Sequence, residues 1–297
     1  MVNRRLPEWL TVKAPKRGAY EELSSYLKSM GLHTVCQSAN CPNIGECFSR
    51  KTATFMILGN ICTRNCGFCG VQHGSPLPVD PDEPAQVAKA AAEMGLKYVV
   101  VTSVTRDDLS DGGANQFAET IRRLRAEIPD VKIEVLIPDF DGNETSLKVV
   151  LEAEPFVLNH NVETISRLYQ TVRPQADYVR SLRLLETAKR IAPSVYTKSG
   201  FMVGLGESRQ EVKDLLVDLR CSACEIVTIG QYLRPSKSNL PVVEYVHPDV
   251  FEAYKGIAES MGFLFVASGP FVRSSYHAAE IIGCNSTLHD KPERHGP

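Results

Sequence analysis

The sequence predicts an α/β fold in which short parallel strands alternate with helices to build a barrel-like sheet. Three observations carry that expectation. Seven short apolar runs are rich in Val, Ile and Phe, longer amphipathic segments lie between them, and Gly or Pro punctuates the junctions. A length of 297 residues admits one large α/β domain or two smaller ones.

The strand candidates in order are 54–60 (TFMILGN), 98–104 (YVVVTSV), 132–138 (KIEVLIP), 155–161 (PFVLNHN), 196–204 (YTKSGFMVG), 225–233 (EIVTIGQYL) and 263–270 (FLFVASGP). Several are continuous apolar runs rather than alternating ones, as suits a parallel sheet covered by helices. Helical patterns occupy 84–95, 113–128, 143–154, 162–172, 178–192, 207–220 and 248–262. Gly95 and Gly262 stand at expected helix C-caps, Pro84 and Pro248 near helix starts, and Asn143 and Asn161 at candidate N-caps. Six or seven such units fall short of the eight of a full (β/α)8 barrel, and periodicity leaves a doubly wound open sheet as the alternative. Residues 1–52 stand outside the repeat, and 285–297 (NSTLHDKPERHGP) read as a polar, mobile tail.

Composition narrows the function. A net charge of −2 offers no basic field for nucleic acid, and no apolar run is long enough to span a membrane. The N-terminus, MVNRRLPEWL, lacks the apolar core of a secretory signal, so a reducing cytoplasm is the expected compartment. Nine cysteines, an odd number, then point to metal or redox chemistry rather than a disulfide framework.

Six of them form two triplets. Cys62, Cys66 and Cys69 follow the first strand candidate and so occupy the loop at its C-terminal end, the face where active sites of α/β barrels assemble. Three thiolates can hold three irons of a four-iron, four-sulfur cube and leave the fourth iron open to a chelating cofactor. Zinc with His73 as fourth ligand is the alternative. Upstream, Cys36, Cys41 and Cys47 have CX4CX5C spacing, unlike zinc knuckles, and Pro42, Asn43 and Gly45 supply turns between them. A second iron–sulfur cluster is expected there, with zinc and His33 as the alternative. Cys221 and Cys224 form a CXXC at a helix end, read as small residues of a helix–strand junction, and Cys284 has no assignment.

The stretch CTRNCGFC (62–69), with Phe68 before its last cysteine, resembles the CX3CXΦC signature of radical S-adenosyl-L-methionine (SAM) enzymes. The resemblance implies SAM bound to the open iron through its amino and carboxylate groups, and one-electron cleavage to methionine and a 5′-deoxyadenosyl radical. Both triplets together, with LPEWLTVKAP (6–15), VVVTSVTRDDLSDGGA (99–114), NHNVET (159–164), TKSGFMVGLGE (197–207), TIGQYLRPS (228–236) and SGPFVRSSYHA (268–278), resemble the lipoyl synthase family over nearly the whole chain.

That resemblance implies a partial (β/α)6-type TIM-like barrel over 53–270. It places an auxiliary-cluster extension at 1–52 and a C-terminal segment at 271–297. It implies a sulfurtransferase that inserts two sulfur atoms at C6 and C8 of a protein-bound octanoyl-lysine. Two 4Fe–4S clusters are implied. One, on Cys62, Cys66 and Cys69, generates the radical; the other, on Cys36, Cys41, Cys47 and Ser275, gives up its sulfur. Ser274 is the second choice of serine, and Arg273 is expected to orient the loop. A hydroxyl is a harder, weaker ligand for iron than a thiolate, which suits a cluster that is consumed. Unactivated C–H bonds leave no role for a general base, so the cofactor carries the chemistry.

Implied partners are an octanoylated lipoyl carrier domain (the glycine cleavage H protein or a 2-oxoacid dehydrogenase E2 domain) and an electron donor such as flavodoxin or ferredoxin. Contacts to SAM or the cluster region are expected from Phe68, Thr102, Ser103, Asn161, Lys198, Gly204, Gly206, Glu207, Gln231 and Arg234. Arg106 is expected to face the site, and Gly112 and Gly113 to allow close backbone approach. Arg4, Arg5, Lys13, Lys16 and Arg17 form a basic N-terminal stretch expected to help dock the carrier. The rival readings are a biotin synthase-like sulfur inserter and a non-catalytic two-cluster electron carrier.

Overall fold

The computed structural model describes residues 6–11, 19–38, 41, 43–44, 54–276 and 278–280. Cys47, Cys284, the basic residues at 4, 5, 13, 16 and 17, and the 285–297 tail lie outside them. The chain first forms helix α1 (Ala19–Ser29), a two-residue strand β1 (His33–Thr34) and a turn of helix α2 (Val35–Ser38). Then come β2 (Thr54–Ile57), a small pair β3 (Ile61–Cys62) and β4 (Gln72–His73), α3 (Glu83–Glu93), β5 (Tyr98–Ser103) and α4 (Ala114–Glu127). The alternation continues as β6 (Lys132–Leu136), α5 (Glu144–Glu152), β7 (Val157–Asn159), α6 (Tyr169–Val172), α7 (Tyr178–Ile191), β8 (Tyr196–Val203), α8 (Arg209–Cys221), β9 (Ile226–Gln231), α9 (Pro248–Ser260) and β10 (Phe265–Gly269).

The main sheet has the order β1-β2-β5-β6-β7-β8-β9-β10, parallel throughout except for β1, which pairs antiparallel with β2. Strand order follows chain order without a reversal. A doubly wound sheet requires a reversal, so right-handed crossovers here leave every helix on one face and the sheet curls as a barrel does. Seven parallel strands and six helical crossovers make the partial barrel, and all seven strand expectations are met. Residues 19–34, outside the predicted repeat, supply a helix and an edge strand that covers the β2 side of the sheet.

Local chemistry explains the boundaries. Asn143 caps α5 by accepting from the Thr145 and Ser146 amides, and Ser208 and Glu211 form a capping box on α8. Gly95 and Gly262 close α3 and α9 at φ of 67° and 82°. Asn161 caps nothing, which corrects that expectation. Residues 162–165 are non-helical, with Glu163 at φ 66° bridged to Phe201, and helical turns begin only at Ser166. The helix-facing side of the sheet is apolar, with Phe55, Val101, Val135 and Leu158 fully buried against α3, α4 and α5. The inner side carries the registered row Met56–Thr102–Leu136–Asn159–Lys198–Ile226. Three of these six are polar, which marks the interior as a site rather than a plain core.

Candidate active site

A cavity of about 470 Å³ opens at the C-terminal ends of the parallel strands. Cys62, Cys66 and Cys69 enter it from one side, Cys36 and Cys41 from another, and Ser274 and Ser275 from the C-terminal segment. Cys36 and Cys41, more than twenty positions before Cys62 in sequence, therefore share one chamber with the downstream triplet. Its remaining wall is largely apolar, including Val35, Met56, Phe68, Leu136, Ile137 and Met202.

The first loop is built by backbone pairing. Leu58 and Gly59, at φ of 67° and 87°, turn the chain off β2. The parallel pair β3–β4 then brackets the loop, a feature the sequence reading did not foresee. Thr63 N donates to Thr105 O at 3.0 Å, Gly67 N to Val172 O at 2.9 Å, and Leu240 N to Gly67 O at 2.9 Å. Asn239 Nδ2 adds a bond to Cys69 O at 2.8 Å.

Amide donors reach the sulfurs themselves. Arg64 N and Thr105 N lie 3.4 and 3.3 Å from Cys62 Sγ, and Val71 N lies 3.4 Å from Cys69 Sγ. Burial pushes the Cys69 thiol up to about 12 and the Cys36 thiol to about 11, and raises Cys66 as well. Such thiols hold their protons unless a metal displaces them, so the donor set suits soft iron and binding would release protons. Among the described residues no three His, Cys, Asp or Glu side chains converge as ligands of a single ion. His73, the candidate zinc ligand, is exposed on β4 and lines no part of the chamber.

The structure sorts the predicted contacts. Phe68, Thr102, Ser103, Asn161, Gln231 and Arg234 line the chamber. Ser103 Oγ is buried with no protein partner, as a ligand-facing hydroxyl would be. Thr102 Oγ1 donates to Leu136 O at 3.0 Å. Gln231 is spent on the backbone, with Nε2 to Glu244 O and Val246 N to Oε1 at 3.0 and 2.8 Å. Arg234 donates Nε to Asn239 O at 2.8 Å and so braces the turn that holds the cysteine loop.

Four expectations need correction. Lys198 lies below the chamber, with Nζ 2.8 and 3.0 Å from the two Glu134 oxygens and 1% exposed. Gly204, Gly206 and Glu207 lie off the chamber, and the Gly204 and Leu205 amides donate to the Glu207 carboxylate rather than to a ligand. Arg106 turns to Asp108 at 2.8 Å. Gly112 and Gly113 admit neighbouring side chains, since a Cβ on them would meet Phe140 Cδ1 at 2.9 Å and Leu58 Cδ1 at 2.2 Å.

Other residues were missed. Glu163, at φ 66°, and Arg173 both line the chamber, and Arg173 Nε is buried without a protein partner. Arg173 Nη1 donates to Asn161 O at 2.9 Å. Burial raises the Glu163 carboxyl against the pull of Arg173. The signal was only an arginine closing a short helical turn (YQTVR) whose Tyr169 and Val172 are buried. In the C-terminal segment, burial lowers the Arg273 pKa against Cys41 nearby, and Arg273 Nη1 donates to Val272 O at 2.6 Å. Away from the site, Cys221 is exposed and Cys224 buried, its Sγ 3.2 Å from Ile226 O, as a junction residue should be.

Comparison with known proteins agrees with this geometry. The sequence profile of the radical SAM superfamily matches residues 56–219. The chain is 58% identical over 274 residues to a lipoyl synthase of Caldanaerobacter subterraneus, covering 92% of this chain and 96% of that one. It is 56% identical over 280 residues to a lipoyl synthase of Caldicellulosiruptor saccharolyticus, covering 94% and 98%. Among solved structures, methylornithine synthase shares the fold with a TM-score of 0.52 at 14% identity, covering 96% of this chain and 92% of that chain.

Proposed function

The chain belongs to the lipoyl synthases of the radical SAM superfamily, and from that premise we propose how its residues divide the work of placing two sulfur atoms at C6 and C8 of a carrier-bound octanoyl-lysine. The supporting observation is one chamber lined by Cys62, Cys66 and Cys69, by Cys36 and Cys41 of the upstream set, and by the RSSY serines. The chemistry supplied there, when the groups are bound, is an electron and a carbon radical from one cluster with SAM, and sulfur from a second cluster.

In this reading Cys62, Cys66 and Cys69 hold the first 4Fe–4S cluster, and the amides of Arg64, Val71 and Thr105 stabilise added negative charge on its sulfurs. Cys36, Cys41, Cys47 and Ser275 hold the second. Arg273 sits beside Cys41 and offsets its thiolate charge. Phe68, Thr102, Ser103, Asn161, Gln231 and Arg234, with Glu163 and Arg173, form the SAM-facing wall. The apolar wall takes the octanoyl chain and holds it in one place, so that its target C–H bonds are the ones presented to the radical. Lys198 and Glu207 act as supports beneath the wall, through Glu134 and the 204–205 amides.

We also propose the division into an N-terminal cluster extension (1–52), a barrel (53–270) and a C-terminal ligand segment (271–297). The carrier would be an H protein or E2 domain, the electron donor flavodoxin or ferredoxin, and the compartment the cytoplasm. Among the described residues no helix is long and apolar enough to cross a membrane.

Anaerobic reconstitution tests the assignment. The expected uptake is about eight irons per chain, falling to about four when either triplet is replaced by alanine. Single-turnover incubation with SAM, dithionite and an octanoyl-lysyl peptide should yield the dithiol by mass spectrometry. Uptake of about four irons by the unaltered chain, or the absence of sulfur in the peptide, would overturn the reading.

A further inference from the structure

The segment 271–276 is docked by contacts that involve no metal. Asn43, which lies between Cys41 and Cys47 in sequence, donates Nδ2 to Phe271 O at 2.7 Å. Gly230 of β9 lies so close to the segment that a Cβ there would meet Val272 O at 2.3 Å. From β7, Asn159 Nδ2 donates to Ser274 Oγ at 2.7 Å, and Ser274 donates onward to Asn161 Oδ1 at 3.1 Å. Both hydrogen-bonding capacities of that hydroxyl, as donor and as acceptor, are used.

The clasp has a rigid footing. The second Asn159 N–H reaches Glu134 Oε1 at 3.1 Å, and Glu134 also accepts from Lys198 Nζ and from Tyr98 OH at 2.7 Å. Asn159, Glu134 and Lys198 are at most 1% exposed. Asn161 Nδ2 is tied in turn to Glu163 Oε1 at 3.1 Å. By contrast, among the described residues the neighbouring Ser275 hydroxyl has no hydrogen-bond partner, although it faces the same chamber.

We propose that Asn159, Asn161 and Ser274 form a metal-independent clasp that positions Ser275, holding the segment in place whether or not the second cluster is present. The adjacent serines thus divide two tasks, one fixing the backbone and the other left free for iron. The proposal rests on the reading of Ser275 as a cluster ligand, and a site whose cluster is consumed needs such a clasp so that the ligand stays in place for a new one. Asn159, Asn161 and Ser274 are positioning residues.

Hydrogen exchange on the metal-free full chain tests the clasp apart from the cluster. Ser274→Ala should raise exchange of the 272–276 amides about tenfold or more while α3 to α5 keep their protection, and Ser274→Thr should restore much of it. Asn161→Ala, which removes the acceptor alone, should give a smaller rise of about threefold. Ser275→Ala should leave exchange unchanged. On reconstitution, Ser274→Ala should lose iron from the second site and retain about four irons on the first. Unchanged exchange in Ser274→Ala would overturn the clasp, and unchanged exchange with lost iron would make Ser274 itself the ligand. If the unaltered chain binds only about four irons while the exchange result holds, the two-cluster reading fails and the clasp stands.

Discussion

Arg64 Nη2 lies 2.7 Å from Asp139 Oδ1, tying the cysteine loop to the turn after β6. The same guanidinium forks onto Asp107, Nε to Oδ2 at 2.7 Å and Nη2 to Oδ1 at 2.8 Å. Asp139 is fully buried and also receives Arg180 Nε at 2.9 Å. Burial works against its charge, but Arg64 and Arg180 outweigh it and hold the carboxyl well below the usual carboxylate range. Three loops around the chamber are thereby locked through one side chain that lies between two cysteines.

Removing that side chain should loosen the loop. Arg64→Ala leaves Asp139 half-neutralised in a buried setting, a loss of about 3 kcal/mol. Arg64→Lys recovers only part, because a single ammonium cannot fork onto two carboxylates. Urea unfolding of the metal-free chain should rank the three proteins in that order. Gel filtration after reconstitution should show the alanine variant losing iron from the first cluster. Equal stability of Arg64→Ala and the unaltered chain would show that the fork is not what holds the loop.

The elements legible in the sequence were those with a repeating physical signal. Seven apolar runs became seven parallel strands because burial on both sheet faces imposes continuous hydrophobicity, and Asn143 capped its helix because the Asn–Glu–Thr order suits the first turn. Thiol spacing placed Cys62, Cys66 and Cys69 correctly in one loop. What failed was the direction of isolated polar groups. Asn161, just past β7, and Lys198, on the adjacent β8, sit on the same inner face, and only tertiary pairing with Glu134 sends Lys198 downward. The GLGE amides were open to a ligand until the folded loop returned the Glu207 carboxylate to them. Asn159 and Ser274, 115 positions apart, carried no local signal at all.

His160 supplies a pH-dependent term. Nδ1 lies 2.9 Å from Ile137 O, which can only accept, so Nδ1 carries the proton and Nε2 accepts from Ser181 Oγ at 3.0 Å. Burial, aided by nearby Arg173, lowers its pKa from 6.5 to about 4. The unfolded chain therefore binds the extra proton first. Stability from this group is complete above about pH 6.5 and is lost as pH falls towards 4, by up to about 3 kcal/mol. His160→Gln should unfold more easily at pH 7.5 yet show a shallower decline in Tm from pH 6.5 to 5. Parallel declines in the two proteins would assign the acid sensitivity elsewhere.

The Glu134–Lys198 pair sits beneath the chamber with the carboxylate 0% and the ammonium 1% exposed at their side chains. Its attraction is set against the cost of taking two charges out of water, so its net contribution is small while the penalty for halving it is large. Lys198→Met should therefore destabilise the chain by about 3–5 kcal/mol, because it strands a buried carboxylate. Glu134→Gln should do the same by stranding the ammonium. The double variant removes both charges and places its single amide oxygen where Glu134 Oε2 accepts from Tyr98 OH. Its new Nε2 then takes the Oε1 place against Asn159, whose amide must turn so that Oδ1, unpartnered in the native chain, accepts from it. The two changes should thus be strongly non-additive, with a coupling of about 2 kcal/mol or more in a double-mutant cycle. Because Asn159 also anchors Ser274, the single variants should raise hydrogen exchange in 272–276 and the double variant should bring it back down. Additive losses, or exchange in that segment that ignores the pair, would mean the buried charges are an isolated feature of the barrel and not the footing of the C-terminal clasp.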